Sequence, residues 1–199
     1  MQNPVLQAIK DRRSIRAYTD EQIPDDMLQT ILDAGLSAPS ASNQQPWHFT
    51  AVKDKALIQR VEEAFLEEAV KSCPPATRER ITAPGYSVFF HAPTVIFLSC
   101  PPLENMRYAQ TDTGMAVQNM TLAAHALGLG SVILGMPRFA FMGGRAEELR
   151  RALCFPEGYD YCLSLAVGYP AMTKEAHPIG ENKITILRLC LIPAFIAAY

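Results

Sequence analysis

The sequence predicts an α+β fold in which a small mixed or antiparallel sheet surrounds one buried core helix. The first sign is residues 111–127, whose apolar side chains cover nearly the whole circumference of a helix, as is typical of a buried helix. The second is residues 92–98, a nearly continuous apolar run with prolines near both ends, which indicates a strand buried on both faces. The third is composition: 199 residues that are 49% hydrophobic suit one compact domain or an obligate dimer of such domains.

The N-terminal half alternates helical and extended patterns. A first helix is predicted over residues 3–11, and a second opens at Pro24, because Asp25 and Asp26 then lie in its first turn, where the helix dipole favours anions. The next elements are a strand over residues 47–52, an amphipathic helix over 55–70, and an irregular segment over 72–85. That segment is predicted to be either a mobile flap or a plain surface connection.

The C-terminal half follows the core helix with further short elements. His125, on the core helix, is expected to be a buried histidine with satisfied hydrogen bonds rather than a catalyst. No linker or repeat divides the chain, so residues 1–199 are predicted to form a single domain with an atypical tail over 188–199. The predicted elements are a strand at 131–135, a helix at 146–153, a strand at 161–167 and a β-like run at 183–187.

Charge and composition exclude several classes of function. The formal net charge is −2, so no global basic field attracts nucleic acid or an anionic membrane. No stretch approaches the roughly 20 apolar residues that span a bilayer, and the N-terminus does not have the pattern of a signal peptide, so a cytoplasmic protein is expected. The cysteines and histidines show no metal-ligand spacing, and no metal site is predicted.

A local basic cluster is the clearest candidate for a binding site. Arg12, Arg13, Ser14 and Arg16 fall within five positions, and arginine carries a planar fork of donors that suits phosphate. In an extended or turn conformation, Arg12, Ser14 and Arg16 would point one way and Arg13 the other. The alternative interpretation is a solvated basic turn.

No signature of covalent catalysis accompanies this cluster. Residues 128–130 read Gly-Leu-Gly, but the third glycine of a dinucleotide fingerprint is replaced by Ile133, and these glycines follow a helix instead of a strand. There is no phosphate-binding Walker loop and no nucleophile elbow. A bound cofactor that carries the chemistry would explain an anion site without a nucleophile.

Several motifs, in order, carry a resemblance to a known family. Arg-Arg-Ser-Ile-Arg-Ala-Tyr at 12–18 is followed by Ile-Pro at 23–24 and by a polar loop at 38–47 that contains Pro39, Ser40, Asn43 and Gln45. Asp-x-Gly-x-Ala-x-Gln-Asn-Met begins at Asp112, and Val-Gly-Tyr-Pro closes at residues 167–170. Together these resemble the nitroreductase family of FMN-dependent oxidoreductases, over roughly residues 3–187.

The resemblance implies an intertwined homodimer with two FMN sites at the subunit interface, each built from both chains. It also implies reduction of electron-poor acceptors, such as nitroaromatics or quinones, with NADH or NADPH in a ping-pong cycle. Residues 183–187 would then add an edge strand to the partner's sheet, since such an exchange covers an open edge.

Residue by residue, the resemblance places Arg12 on the FMN phosphate and Ser14 on the phosphate or the ribityl chain. Arg13 and Arg16 would lie along the side from the phosphate to the pyrimidine, where a cation favours the anionic reduced flavin. The partner would contribute Pro39, Ser40, Asn43 and Gln45 at the ring edge. The backbone of Ile133, Leu134 and Gly135 would pass the flavin, with the Gly135 amide near N5.

A departure from the family pattern leaves alternatives open. After the closing strand, family members usually carry an Arg or Lys that reaches the phosphate, and here Lys183 is the candidate for that cation. No dedicated acid or base is implied, because FMN carries the chemistry. The alternatives are a family relative with another flavin reaction, such as dehalogenation or dehydrogenation of a heterocycle, or a non-catalytic flavin-binding sensor.

Overall fold

A four-stranded antiparallel sheet forms the centre of the molecule in the computed structural model, which describes residues 3–187. The strand order is β1-β2-β4-β3, and each neighbouring pair of strands is antiparallel. The α+β class is therefore confirmed, and the predicted sheet takes the antiparallel form. The strands are β1 (His48–Val52), β2 (Thr94–Cys100), β3 (Gly130–Leu134) and β4 (Asp160–Gly168).

Helices cover both faces of this sheet. Ile96 and Leu98 of β2 pack with α2 and α5 on one face, whereas Val95 and Phe97 pack with α3 on the other. The seven residues of β2 are all buried, so the prediction of a strand buried on both faces is confirmed. The α-helices are α1 (Pro4–Asp11), α2 (Asp25–Leu36), α3 (Lys55–Ser72), α4 (Pro75–Ile81), α5 (Ala109–Ala126) and α6 (Ala146–Ala152), and short 3-10 helices span Ala41–Asn43 and Met136–Phe141.

Residues 72–85 are less irregular than the sequence suggests. They contain α4, which begins at Pro75 because proline fits the first helical position without losing a hydrogen bond. Ile81 near the end of α4 is 2% exposed and joins the core cluster that includes Phe65 and Phe89. The prediction of an irregular flap or connection is therefore wrong for α4, and the proline pair marks a helix start instead of a loop.

The central helix α5 is buried on one side only. Val117, Met120 and Ala124 face the core, but Met115 and Gln118 are exposed in the single chain. The predicted burial of α5 on all sides is therefore not reached within residues 3–187, because none of them forms a layer over the Met115 side of the helix.

The chain after β4 is extended and exposed. Residues 183–187 belong to no strand of the described chain, so the predicted β-like run is not formed within one subunit. The predicted atypical tail at 188–199 lies outside the described residues. No helix within residues 3–187 has the length and apolar character needed to cross a membrane.

Candidate functional site

The arginine segment, residues 12–16, runs beside β3. The Ile15 amide donates to the Ser131 carbonyl at 3.0 Å, and Ser14 forms a parallel bridge with Ser131. The structure therefore brings this segment beside the strand that carries the predicted residues Ile133 and Leu134 and is followed directly by Gly135. These contacts join positions more than a hundred residues apart in the sequence.

Gly130 makes this close approach possible. A Cβ on Gly130 would lie 2.9 Å from Cγ2 of Ile15 and 3.0 Å from its Cβ, closer than real side-chain contacts allow. Ile15 itself is 9% exposed. The apolar side chain of the segment is therefore seated against the strand, while its polar neighbours stay near the surface.

Tyr18 fastens the other end of the segment to the sheet. Its hydroxyl donates to the Ile15 carbonyl at 2.8 Å and to the Ala166 carbonyl at 3.3 Å. Burial raises the pKa of the Tyr18 phenol well above its usual value, and the positive charge of Arg16 lowers it by less. The phenol therefore stays protonated and keeps both hydrogen bonds at physiological pH.

Arg12 and Arg13 line one basic groove of about 330 Å³. Arg13 folds back, so that its Nη1 donates to the carbonyls of Lys10 and Arg12. The Nε atom of Arg13 is buried and has no hydrogen-bond partner among residues 3–187. The prediction that Arg13 points away from Arg12 is therefore wrong, because the side chain is turned toward the helix end. The groove is lined by Asp11, Arg12, Arg13, Ile15, His125, Gly128, Leu129, Gly130, Ser131, Pro170, Met172, Thr173 and Lys174.

Arg16 lies outside the basic groove, in a neighbouring cleft. Its guanidinium carbon is 5.9 Å from the centre of the Phe90 ring, and its Nη1 donates to the Ser14 carbonyl at 3.3 Å. Phe90 packs in one small cluster with Tyr18 and Leu134, so Arg16 lies on the side of the sheet where β3 ends. This side cleft, of about 350 Å³, is lined by Arg16, Ala17, Tyr18, Gly85, Tyr86, Ser87, Phe90 and His91.

Two lysines follow the closing strand, and one of them lines the basic groove of its own chain. Lys174 lines the basic groove, whereas Lys183 does not and is exposed further along the chain. His125 also lines the groove and is half-buried, so the expectation of a buried and satisfied histidine is wrong. The groove thus combines two arginines, a lysine and a histidine with one carboxylate, Asp11.

The loop at residues 39–45 is held in an unusual conformation. Ser42, Asn43 and Gln45 all have positive φ angles, between 47° and 54°. The Gln45 amide donates to Ser40 Oγ at 2.9 Å, and the Gln45 side chain donates to Asn43 Oδ1 at 3.0 Å. Non-glycine residues take such angles where surrounding contacts impose them, so the side chains of this loop have a defined arrangement.

Asp112 anchors this loop to α5. Its carboxylate, which is 2% exposed, accepts from the Ala41 amide at 3.1 Å. Asp112 and His125 are thirteen positions apart on one helix, hence about 20 Å apart at 1.5 Å per residue. The structure therefore does not bring Pro39, Ser40, Asn43 and Gln45 to the arginine segment of the same chain.

The comparisons with known proteins agree with this geometry. The model described as the Nitroreductase family matches residues 9–169. This chain belongs to the nitroreductase family. Within it, the chain is 32% identical to the FMN reductase (NAD(P)H) of Bacillus subtilis strain 168, over 85% of this chain and 67% of that protein.

Solved nitroreductase structures share the fold over most of the chain. A nitroreductase with bound FMN from Desulfitobacterium hafniense DCB-2 superposes with a TM-score of 0.88 at 34% identity, covering 94% of this chain and all of that one. One from Bacteroides fragilis NCTC 9343, also with bound FMN, gives a TM-score of 0.87 at 33% identity with the same coverage. The resemblance read from the motifs is therefore confirmed at the level of family and fold.

Three residues at the candidate site were not predicted as site residues from the sequence. Asp112 appeared only as part of a motif, and its spacing gives no sign that it holds the loop. The sequence analysis names Lys183 as the candidate cation, and only the return of the chain after β4 shows that Lys174 lines the groove. His125 had a visible signal, since a histidine one position before the last residue of α5 lies where the free carbonyl groups of the helix end favour a cation.

Proposed function

We propose that this protein binds FMN and reduces nitroaromatic, quinone or similar electron-poor acceptors with NADH or NADPH. Support comes from the FMN-bound relatives and from the name of the Bacillus subtilis relative. The observation that carries the proposal is the basic groove, where Arg13 holds a buried, unpartnered donor beside Arg12.

The residues of the groove fit the FMN phosphate. Arg12, Arg13 and Lys174 supply three positive charges, and the one carboxylate, Asp11, accepts a hydrogen bond from Gln7 at 2.8 Å. A phosphate dianion would partner donors that have no other use among residues 3–187, since charge-assisted hydrogen bonds to arginine are the stronger ones in proteins. The groove lies against the start of β3, at Gly130 and Ser131, and the same strand leads to the residues that the family resemblance assigns to the flavin ring.

Each residue then has a defined task. Arg12 and Arg13 bind the phosphate, and Ser14 lies next to them on the segment that pairs with β3. Arg16, over Phe90, would stabilise negative charge at the pyrimidine end. A Cβ on Gly135 would meet nothing within 4 Å, so the main chain there is open to a ligand.

FMN, when bound, supplies the two-electron chemistry between NAD(P)H and the acceptor. Reduction of a quinone to a hydroquinone consumes one NAD(P)H and one proton from water, and it needs no dedicated acid or base from the chain. The contribution of the protein is to bind, orient and shield. A ping-pong order is part of the proposal, because one open face at Gly135 would serve both substrates in turn.

We also propose that the active form is a homodimer. The 39–45 loop lies about 20 Å from the basic groove of its own chain by the length of α5, so a second chain would supply it to the site. The single chain also leaves apolar side chains uncovered, which favours a partner surface. Exposed ones include Val5, Leu6 and Ile9 of α1, Leu36 of α2, Met115 of α5, and Ile184, Ile186 and Leu187 near the C-terminus.

The C-terminal residues fit the same arrangement. Residues 183–187 carry apolar side chains, Ile184 being 84% exposed, and make no strand in their own chain. Pairing them with the sheet edge of a partner would satisfy their backbone groups and cover those side chains. Residues 1–199 would then act as one domain that is completed only in the dimer. Sedimentation velocity tests this, and a purely monomeric FMN-loaded protein would contradict it.

The first experiment on function is a visible spectrum of the purified protein, followed by anaerobic mixing with NADPH or NADH. We expect absorption at about 450 nm, as for flavin cofactors in general, and we expect this absorption to disappear on mixing. Steady-state oxidation of NADPH with a quinone then gives the activity. Absorption that persists with both reductants would favour the sensor alternative, and no absorption after addition of FMN would overturn the proposal.

A further inference from the structure

Two arginines outside the basic groove lie around the end of β3. Arg80, on α4, has its Nη2 atom 3.9 Å from the sulfur of Met136. Arg138 follows Gly135 by three positions, and its amide lies 3.3 Å from the Gly135 carbonyl. Both side chains are exposed, and neither forms an ion pair with a carboxylate in the part of the chain that the structure describes.

Arg80 connects the side cleft with the end of β3. Tyr86 lines that cleft together with Arg16, and its ring stacks on Phe65 with centroids 6.4 Å apart. Burial raises the pKa of the Tyr86 phenol, and the positive charge of Arg80 counteracts part of this rise. The charge of Arg80 therefore acts at the cleft wall, while its guanidinium also reaches Met136.

Arg138 is held on the other side of the same segment. Its guanidinium carbon lies 4.8 Å from the centre of the Phe139 ring, a cation–π contact that orients it. The hydroxyl of Tyr161 donates to the Leu134 carbonyl at 2.9 Å. Burial raises the pKa of the Tyr161 phenol, whereas its hydrogen bond with Ser164 and the positive charge of Arg138 lower it.

Glu62, the carboxylate whose charge acts on Tyr86 in the wall of the side cleft, already has hydrogen-bond partners. Glu62 accepts a hydrogen bond from the Ser87 hydroxyl, and its carboxylate lies 3.4 Å from the Phe89 amide. Arg78, on the same helix as Arg80, donates to the Cys73 carbonyl at 3.3 Å and so supports the end of α3 instead. Arg80 and Arg138 thus remain as two oriented cations without an anion.

We propose that Arg80 and Arg138 select acceptors that carry an anionic group, of the carboxylate class, on the electron-poor ring. The inference rests on the proposed function, since it assigns a substrate class to the same site. Both arginines belong to the surroundings of the residues that follow Gly135: Arg80 contacts Met136, and Arg138 lies in the same 3-10 helix as Met136. Their forked donors would match a carboxylate on a ring bound beside Gly135. The anion would also raise the encounter rate, because two like cations attract it from solution.

The test compares two acceptors of nearly equal shape, 4-nitrobenzoate and neutral 4-nitrobenzamide, in kcat/KM with the FMN-loaded protein. We expect the wild type to prefer the anion. Arg80→Gln and Arg138→Gln should each lower the ratio of kcat/KM for 4-nitrobenzoate to kcat/KM for 4-nitrobenzamide roughly two- to fivefold, as exposed charge pairs do. The double variant should lower this ratio further. Arg80→Lys should retain part of the preference.

Arg151→Gln is the matched control. It removes the same charge from α6, where Arg151 is exposed beside Glu147. An equal fall in this variant would mean that only the net charge matters and would overturn the proposal. A ratio unchanged in the double variant would overturn it as well.

A second readout does not depend on turnover. Calorimetric titration of the oxidised FMN-loaded protein with 4-nitrobenzoate, without NADPH, should show binding that weakens in the double variant, whereas 4-nitrobenzamide binding should not change. If the variants instead lose affinity for NADPH relative to NADH, the arginines serve the reductant and the proposal is wrong. Turnover of a neutral quinone in every variant would leave the proposed function intact in either case, and its absence in the wild type would reject that function separately.

Discussion

On the outer face formed by α3 and α6, arginines lie beside carboxylates, whereas along the arginine segment and the end of β3 they do not. Arg145 lies 3.3 Å from Glu67, and Arg150 lies 2.8 Å from Asp160. By contrast, the structure gives Arg12 and Arg16 no carboxylate partner among residues 3–187. One residue type therefore serves two purposes in one chain.

The difference shows which arginines are kept for stability and which for a ligand. Paired arginines on an exposed face contribute little each, because solvent and salt screen the pair. Unpaired arginines close to one another repel and cost free energy in the empty protein. Such a cost is recovered when an anion binds, so the unpaired face is where a phosphate or carboxylate is expected.

The strongest way to break this comparison is to remove the unpaired cations Arg12 and Arg16 together. We expect the double alanine variant to bind FMN at least about 100-fold more weakly, since each charged hydrogen bond contributes about 1.5–3 kcal/mol and 1.4 kcal/mol is tenfold. Fluorescence titration of the FMN-free protein measures this. The matched control is Arg151→Ala, and a double variant that keeps full FMN affinity would show that the site assignment is wrong.

Two glycines, Gly130 at the start of β3 and Gly135 just after its end, allow the effect of side-chain volume on FMN binding to be tested without a change of charge. Gly130→Ala would push its new Cβ against Ile15 and should lower the free energy of unfolding by about 1–3 kcal/mol, as overpacking does. FMN binding should weaken with it, because Ile15 seats the arginine segment. Urea denaturation of the FMN-free protein measures the change in stability.

Gly135→Ala is the counterpart to that variant. Its new Cβ would meet nothing within 4 Å, so stability should change by less than about 1 kcal/mol, the scale of the intrinsic difference between Gly and Ala. If the main chain at Gly135 passes the flavin, FMN affinity or the rate of reduction by NADPH should still fall. Unchanged values of both would remove Gly135 from the site.

On the outer face formed by α3 and α6, where arginines pair with carboxylates, we expect a substitution to change stability and not FMN binding. Arg150→Ala removes contacts to Asp160 and to the Phe141 carbonyl, at 2.8 and 3.3 Å. The free energy of unfolding should fall by about 1 kcal/mol, less at high salt, while the dissociation constant of FMN stays the same. A clear loss of FMN affinity in this variant would erase the distinction between the two faces.

The sequence predicts more of the fold than of this distinction. Periodicity locates β2 and α5 because their patterns are local, and motif order identifies the family. The sequence does not reveal that Ser14 pairs with Ser131, or that Arg60 reaches Glu148, since these partners are brought together only by the tertiary fold. For the same reason it does not reveal that Lys174 lines the groove of its own chain, and the assignment of Lys183 to the phosphate stays a prediction.

Two further errors have the same physical origin. The all-round apolar pattern of α5 predicts complete burial, but one chain covers only one side of it, because residues such as Met115 lack a partner layer. Residues 72–85 contain three prolines, which favour loops, yet Pro75 opens α4 and the burial of Ile81 stabilises it. Tertiary burial outweighs local propensity in both places.

The smallest expected effect concerns how the arginine segment is fastened. Tyr18 holds it by neutral hydrogen bonds instead of ion pairs, so its contribution should respond to pH more than to salt. Burial raises the pKa of the Tyr18 phenol above its usual value of about 10. Above that pH the folded state therefore keeps a proton that the unfolded state loses. Stability from this group is therefore complete below about pH 10 and declines as pH rises beyond it.

Tyr18→Phe tests this sign. At pH 8 the variant should lose about 1 kcal/mol, the usual contribution of one hydrogen bond. Between pH 9 and about 11 the wild type should lose stability faster than the variant, because only the wild type carries this group, while Tyr161 is common to both. Urea denaturation at several pH values measures the difference, with Tyr108→Phe, an exposed tyrosine at 52%, as the control. Parallel curves for wild type and Tyr18→Phe would mean that the phenol is not held protonated in the fold, and that the segment is fastened by Ile15 against Gly130 alone.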